Sequence, residues 1–157
     1  MSGVSPASLA LLSQKYAWGS LSAGSVVVDV GGSQGHVSAH LAKDFPGLQF
    51  VVEDLPEVIS TAGATFEIPE EVRDRVQLLA HDFFTEQPVK NADVYFIRYT
   101  LHNWSDEYCF KILRNLIPAL KSGARVVVQD HLLPEPGTLG LLKDREIRYV
   151  DVECRLC

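Results

Sequence analysis

Cysteine is scarce in this chain. Cys109, Cys154 and Cys157 are the three in 157 residues, and they form neither a paired framework nor a zinc-ribbon spacing. A disulfide-stapled secreted scaffold is therefore excluded, and no metal site is expected. Cys154 and Cys157 do stand as Cys-x-x-Cys, but no βαβ turn follows that would lower a thiol pKa. Reduced thiols in the cytoplasm are the expectation. Basic charge is also in deficit: the net charge is −6, whereas a nucleic-acid partner wants a basic face. No apolar run approaches the roughly 20 residues of a membrane span. Met1 to Ala10 has no basic start and no long apolar core, so it does not read as a signal peptide. Two nucleotide signatures are missing as well. Val30 breaks any G-x-G-x-x-G, and there is no G-x-x-x-x-G-K-[ST], which removes the phosphate-cradling P-loop.

What is present suits one globular domain. The chain is 46% hydrophobic and 22% charged, and it is long enough to bury a sizeable core. Residues 1–24 read as a Ser-, Gly- and Ala-rich lead-in with a short helix around Ser8 to Tyr16. Residues 25–157 read as the core, in which β-type runs alternate with helical patterns. Strands are expected at Ser25–Val30, Gln49–Glu53, Val76–Ala80, Ala92–Arg98 and Arg125–Asp130. The first does not alternate, so it should be buried on both faces. Val37, Leu41 and Phe45 share one face of a helix that stops before Pro46, and Leu55–Ala64 is a short helix.

The clearest helix runs from Ser105 to Lys121. Ser105 can cap it, Asp106 and Glu107 suit the positive end of its dipole, and Gly123 lies just past its end. Phe110, Leu113, Leu116, Ile117 and Leu120 mark its expected buried stripe, with Pro118 bending the last turn. A last helix is expected at Leu139–Ile147, followed by Tyr149–Val152. Strands alternating with helices imply an α/β fold, a parallel sheet with helices on both faces.

In such sheets ligands bind beyond the carboxyl ends of the strands. The polar groups of note all fall there: Gly31, Gly32 and Gly35 after the first strand, and Glu53 and Asp54 after the second. His81 and Asp82 follow the third, Arg98 to Trp104 the fourth, and Asp130 and His131 the fifth. The spacing G-G-x-x-G with an acid pair ending the next strand suits a cofactor that has ribose and adenine but no pyrophosphate. S-adenosyl-L-methionine leads. The alternative is a glycine turn that only tightens strand-to-helix packing.

Asp29-Val30-Gly31-Gly32-Ser33-Gln34-Gly35, Phe45-Pro46, Asp54-Leu55-Pro56, His81-Asp82-Phe83-Phe84, Leu101-His102-Asn103-Trp104-Ser105-Asp106-Glu107 and Leu132-Leu133-Pro134 occur in that order. This set resembles the class I S-adenosylmethionine-dependent O-methyltransferases of the plant caffeate/flavonoid type, especially the fungal relatives in secondary metabolism. The likeness runs from about Tyr16 to Asp151. It implies the Rossmann-like class I methyltransferase sheet.

By that resemblance Asp54 takes the ribose hydroxyls, for which a carboxylate with two acceptor oxygens is suited. Glu53 points the other way on its strand and ranks second. Asp82 and Phe83 match adenine contacts, with plain core as the alternative for Phe83. Arg98 matches a cofactor-contacting position that is usually Lys, and its alternative is a surface ion pair. His102 matches the catalytic base, since a hydroxyl attacks a sulfonium methyl far better once deprotonated, and no metal is needed. Asp130 stands where an acidic partner of the base, usually Glu, is found. Being one methylene shorter, it is expected to reach the imidazole through water. Asn103 replaces the usual Asp after the base. His36 and His40 are spaced i, i+4, but with no third ligand evident a solvated or cofactor-rim role is preferred to zinc.

The resemblance also implies elements that this sequence does not show, namely an N-terminal helical domain and two strands with a Glu-bearing loop beyond Asp151. The chain is thus expected to be a truncated core lacking the last two strands, with the donor half of the site and the base. Exposed edge and apolar surface would favour homo- or hetero-association. Two main functions are open: an O-methyltransferase acting on a hydroxyl of a small phenolic or polyketide-like metabolite, or a non-catalytic remnant that binds the cofactor or a partner chain. Cofactor-assisted rearrangement is a third, disfavoured by His102, and an NAD-dependent oxidoreductase is remote given the glycine spacing.

Overall fold

A computed structural model of the chain describes residues 6–64, 66–130 and 140. Its strands are β1 (Val26–Val30), β2 (Gln49–Asp54), β3 (Val76–Ala80), β4 (Val94–Arg98) and β5 (Arg125–Gln129). Its helices are α1 (Pro6–Lys15), α2 (His36–Asp44), α3 (Pro56–Thr61) and α4 (Asp106–Leu116). All strand pairings are parallel, in the order β3-β2-β1-β4-β5. The chain moves outward from β1 to β3, then crosses back to place β4 on the other side of β1. The reversal lies between β1 and β4, where α/β sheets open a crevice at their carboxyl ends.

Strand alternation sends neighbouring residues to opposite layers. Val27, Phe50, Val52, Val94 and Phe96 pack with Leu12 of α1, Trp18, and Leu41 and Ala42 of α2. Val28, Val30, Tyr95 and Ile97 pack with Ile112 and Leu116 of α4 and with Ala119. β1 is therefore buried on both faces, as its unbroken β-branched run requires. The lead-in segment contributes Leu12 and the fully buried Trp18 to this core, and Trp18 donates its indole N–H to the Leu12 carbonyl at 3.2 Å.

The expected stripe of α4 needs correction. Leu116 is buried and Leu113 packs partly against the core, but Phe110 and Ile117 are 61% and 62% exposed and Leu120 is also exposed. Ile112 takes the inward place. At about 100° per residue, the face shared by Ile112 and Leu116 leaves Phe110 on the far side. The last turn, which holds Pro118, is a 3-10 segment, Ile117–Ala119, and Ala119, at i+7 from Ile112, continues the buried face. Tyr95 anchors that turn: its hydroxyl lies 3.0 Å from the Ala119 carbonyl and 2.7 Å from that of Val89. Ser105 sits at the cap position, but its side chain makes no capping bond; its carbonyl accepts from Cys109 N at 2.9 Å. The helix expected at Leu55–Ala64 is shorter, Pro56–Thr61, and buries no residue.

Among the described residues β5 is the last strand, with Val126 and Val128 exposed. The expectations for Leu139–Ile147, Tyr149–Val152, His131, Leu132-Leu133-Pro134, Cys154 and Cys157 lie outside the described residues.

Candidate functional site

The turn after β1 is built by conformations that few side chains accept. Gly31 and Gly35 have φ of 74° and 86°, in the left-handed region that glycine enters without strain. Gly32 is required by space instead: a Cβ there would stand 2.6 Å from Asp29 Cγ and 2.8 Å from Val52 Cγ1. The turn is tied to β2, because the Glu53 carbonyl accepts from Gly31 N at 2.8 Å and from Gly32 N at 3.0 Å. The turn thereby stays half-buried at Gly31 and Gly32 and carries no side chain of its own there.

Asp54 ends β2 beside this turn. One carboxylate oxygen accepts from Ser33 N at 2.7 Å and the other from Leu55 N at 2.8 Å. Two backbone donors fix the carboxylate, and its remaining lone pairs suit a vicinal diol. The next loop carries Asp82, whose Oδ1 accepts from Phe84 N at 2.9 Å and so shapes its own turn. Phe83 leans toward the glycines. A Cβ on Gly31 would lie 3.6 Å from Phe83 Cε1 and 3.2 Å from Thr100 Oγ1, which brings the ends of β1, β3 and β4 around one space. Phe83 packs edge-on against Phe84 (4.9 Å between ring centroids), and Phe84 against Trp104 (4.7 Å), so Phe83 lies partly against the core while facing the glycine turn.

Arg98 and His102 line the β4 side. The Arg98 guanidinium lies 4.2 Å over the Tyr99 ring and its Nε donates to Gln129 Oε1 at 3.2 Å. Tyr99 itself holds φ of 49°, a conformation that costs a non-glycine residue energy and is concentrated at functional sites. His102 follows in a 3-10 turn, Leu101–Asn103. Its Nδ1 contacts Asp130 Oδ1 directly, and its backbone N–H donates to Asp130 Oδ2 at 3.1 Å. The expectation of an intervening water is thus corrected: the turn lowers His102 onto the end of β5, which makes up for the shorter side chain. Facing a carboxylate, Nδ1 carries the hydrogen, and Nε2 of the neutral ring carries the lone pair.

Asp29 stands out in the sequence as a charge inside a β-branched run, a pattern that by itself assigns it no role. It is buried beneath Gly32 and accepts from Ser38 Oγ at 2.7 Å. Burial pushes its carboxyl up to about 6, against the Ser38 hydrogen bond and the attraction of Arg98. Glu53 does point away from Asp54. Its Oε2 accepts from His81 Nδ1 at 3.0 Å and from Gln87 Nε2 at 2.8 Å, and burial raises its carboxyl too. Gln87 carried no signal in the sequence. His36 stacks on Phe66 at 3.7 Å, and His40 Nε2 lies 3.3 Å from Asp44 and 3.2 Å from Ser13. The two histidines thus have separate local partners. Among the described residues no three side chains gather as a metal site, and no helix is long and apolar enough to cross a membrane.

Comparison with known proteins bears on this geometry. A family model described as an O-methyltransferase domain matches residues 9–146. The chain is 52% identical over 141 residues to the grayanic acid biosynthesis cluster O-methyltransferase of Cladonia grayi, covering 90% of this chain and 31% of that protein. It is 49% identical over 129 residues to the chlorophenol O-methyltransferase of Trichoderma longibrachiatum, covering 82% and 28%. CalO1, a methyltransferase in calicheamicin biosynthesis solved with SAH bound, superposes with a TM-score of 0.75 at 29% identity, over 92% of this chain and 41% of that one. The chain therefore spans about a third or less of the length of these two curated relatives.

Proposed function

Because the chain belongs to the O-methyltransferase domain family, we propose that it serves S-adenosyl-L-methionine-dependent methyl transfer to a hydroxyl of a small phenolic or polyketide-like secondary metabolite. The observation that carries the reading is the His102–Asp130 contact at the mouth of the crevice whose other wall is the glycine turn and Asp54.

The residues present fit the cofactor. Gly31 and Gly32 would let it approach the backbone, with the buried Gly35 shaping the turn behind them, and Asp54 would accept from its ribose hydroxyls. Asp82 and Phe83 take the adenine, by a hydrogen bond to the amino group and by apolar packing. Arg98 contacts it from the β4 side. When bound, the cofactor supplies an electrophilic methyl group on a sulfonium sulfur. His102 Nε2 takes the proton of the acceptor hydroxyl, so that the oxygen attacks as an oxyanion. Asp130 holds the ring in the tautomer with Nδ1 protonated and stabilises the imidazolium that results. Asn103 adds no charge there, so Asp130 is the acidic partner in contact with the ring among the described residues. A cytoplasmic setting belongs to the same reading and rests on the scarcity of cysteine in the sequence.

The test is calorimetry with S-adenosylmethionine and S-adenosylhomocysteine, followed by transfer assays against a phenolic panel. A version extended by the further length of the relatives is run beside the chain. His102→Ala should lower transfer by about 10²–10⁴, the range for loss of a general base, with cofactor affinity nearly intact. Cofactor binding without transfer by either version on any hydroxyl acceptor would favour a remnant that only binds.

A further inference from the structure

Glu53 is an unusual residue to bury. Its side chain is 1% exposed and that of His81 8%, and a carboxylate taken from water needs compensation. Gln87 and His81 compensate one oxygen. Among the described residues Glu53 Oε1 and His81 Nε2 are buried without a hydrogen-bond partner. A partly satisfied polar network is costlier than an apolar core of the same shape, so its retention here calls for a use beyond stability.

The connections show what it fixes. The main chain of Glu53 holds Gly31 and Gly32, and Asp54 is its neighbour. Its side chain holds His81, which immediately precedes Asp82 and Phe83, and Gln87, which closes the same loop. The loop is pinned on its far side as well. Gln87 Oε1 accepts from Val89 N at 2.8 Å, Gln87 N donates to the Asn115 carbonyl at 3.0 Å, and Asn115 Nδ2 donates to the Phe83 carbonyl at 3.1 Å. One carboxylate thus joins the strand that presents Asp54 to the loop that presents Asp82.

We infer that Glu53, acting through His81 and Gln87, is a positioning residue that sets the distance between the ribose-binding and adenine-binding carboxylates and thereby the selectivity for a 6-amino purine. The inference rests on the proposed cofactor reading. Asp82 discriminates a purine amino group only if its carboxylate is held in place. A loop released from Glu53 keeps the apolar packing of Phe83 but loses that aim.

The experiment measures affinity for S-adenosylhomocysteine and for S-inosylhomocysteine, which lacks the amino donor. The proteins compared are the parent chain, His81→Asn, His81→Leu, Gln87→Leu and Asp54→Ala. The parent should prefer the adenosyl ligand. His81→Asn places an amide N–H near the Nδ1 position and should keep both affinity and preference. His81→Leu should lose about fivefold in affinity, the worth of one ordinary hydrogen bond no longer aimed at the purine, and most of its preference. Gln87→Leu should shift in the same direction, and it carries the comparison if His81→Leu does not fold. A folded His81→Leu or Gln87→Leu with the parent's preference would overturn the inference while Asp54→Ala still reports on the cofactor site. Equal loss in His81→Asn and His81→Leu would also overturn it. A parent chain that binds neither ligand would overturn both the inference and the cofactor reading.

Discussion

Replacing Asp29 by Asn should remove a pH-dependent part of this protein's stability. Burial raises the Asp29 carboxyl from 3.8 to about 6, although Ser38 donates to it and Arg98 attracts it. A rise of a little over two units corresponds to about 3 kcal/mol. The folded-state value lies above the unfolded one, so the folded protein holds this proton more tightly. The contribution is fully present below about pH 4 and is lost as pH rises through 6. At pH 8 the parent therefore carries a cost of about 3 kcal/mol that an amide does not. The stability of Asp29→Asn minus that of the parent should rise by about 2–3 kcal/mol between pH 4 and pH 8.

The absolute offset is a separate matter. The Asn oxygen can still accept from Ser38 Oγ, but its NH₂ enters a site that held a second oxygen, and an unmet donor costs about 1–3 kcal/mol. That penalty is independent of pH and moves the whole difference curve without changing its slope. Urea unfolding of both proteins at unit steps from pH 4 to pH 8 measures it. Glu53, whose carboxyl is also raised by burial, titrates in both proteins and cancels to first order, its repulsion being the smallest of the causes that act on Asp29. A difference curve flat to within about 0.5 kcal/mol, well under the shift expected from linkage, would refute the claim that the buried carboxyl is held high.

Gly32→Ala should cost about 1–3 kcal/mol from overpacking, because its Cβ would press on Asp29 Cγ and Val52 Cγ1 at 2.6 and 2.8 Å. Gly47→Ala meets nothing nearer than 3.5 Å and should stay within about 0.5 kcal/mol; equal melting curves for the two variants would count against the spatial argument. Asp54→Ala should weaken S-adenosylhomocysteine binding by roughly tenfold to a hundredfold, the worth of about 1.5–3 kcal/mol for hydrogen bonds to a charged group, and calorimetry showing parental affinity would end the ribose assignment. With β5 at the end of the described sheet and Val126, Val128, Phe110 and Ile117 exposed, the purified chain should self-associate as its concentration rises. A monodisperse monomer at high concentration by light scattering would contradict that.

The strands were legible because burial on both faces imposes a composition. Val26 to Val30 is apolar apart from one charge, and nothing but a central parallel strand explains such a run between glycine-rich turns. The site was legible for a related reason. Its residues end the strands or follow within four positions, so placing the strands also places Asp54, Asp82, Arg98, His102 and Asp130 at one end of the sheet. α4 was misread because a helical pattern holds more apolar residues than one face can take, and the sequence does not say which face the sheet will claim. Phe110 and Leu120 fit a stripe as well as Ile112 does. In the fold the sheet takes Ile112, Leu116 and Ala119, and the Tyr95 hydroxyl bonds the Ala119 carbonyl at the end of that face.

Glu53 and Asp130 mark the limit from two sides. Alternation along a strand shows that Glu53 must face away from Asp54, and that inference needs no coordinates. What it faces is another matter, since His81 is 28 positions away and Gln87 is 34, and no local pattern ties a loop glutamine to a strand carboxylate. Asp130 does meet His102, and side-chain length alone does not predict that the contact is direct. The 3-10 turn that carries His102 shortens the gap by moving the backbone, and the His102 N–H bonds the same carboxylate as its ring does. Local periodicity therefore names the chemical groups at the mouth of this sheet, whereas the contacts that aim them arise from backbone adjustments that periodicity does not encode. The further variants at His81 and Gln87 probe that second class of information, because they alter the aim of Asp82 without touching it.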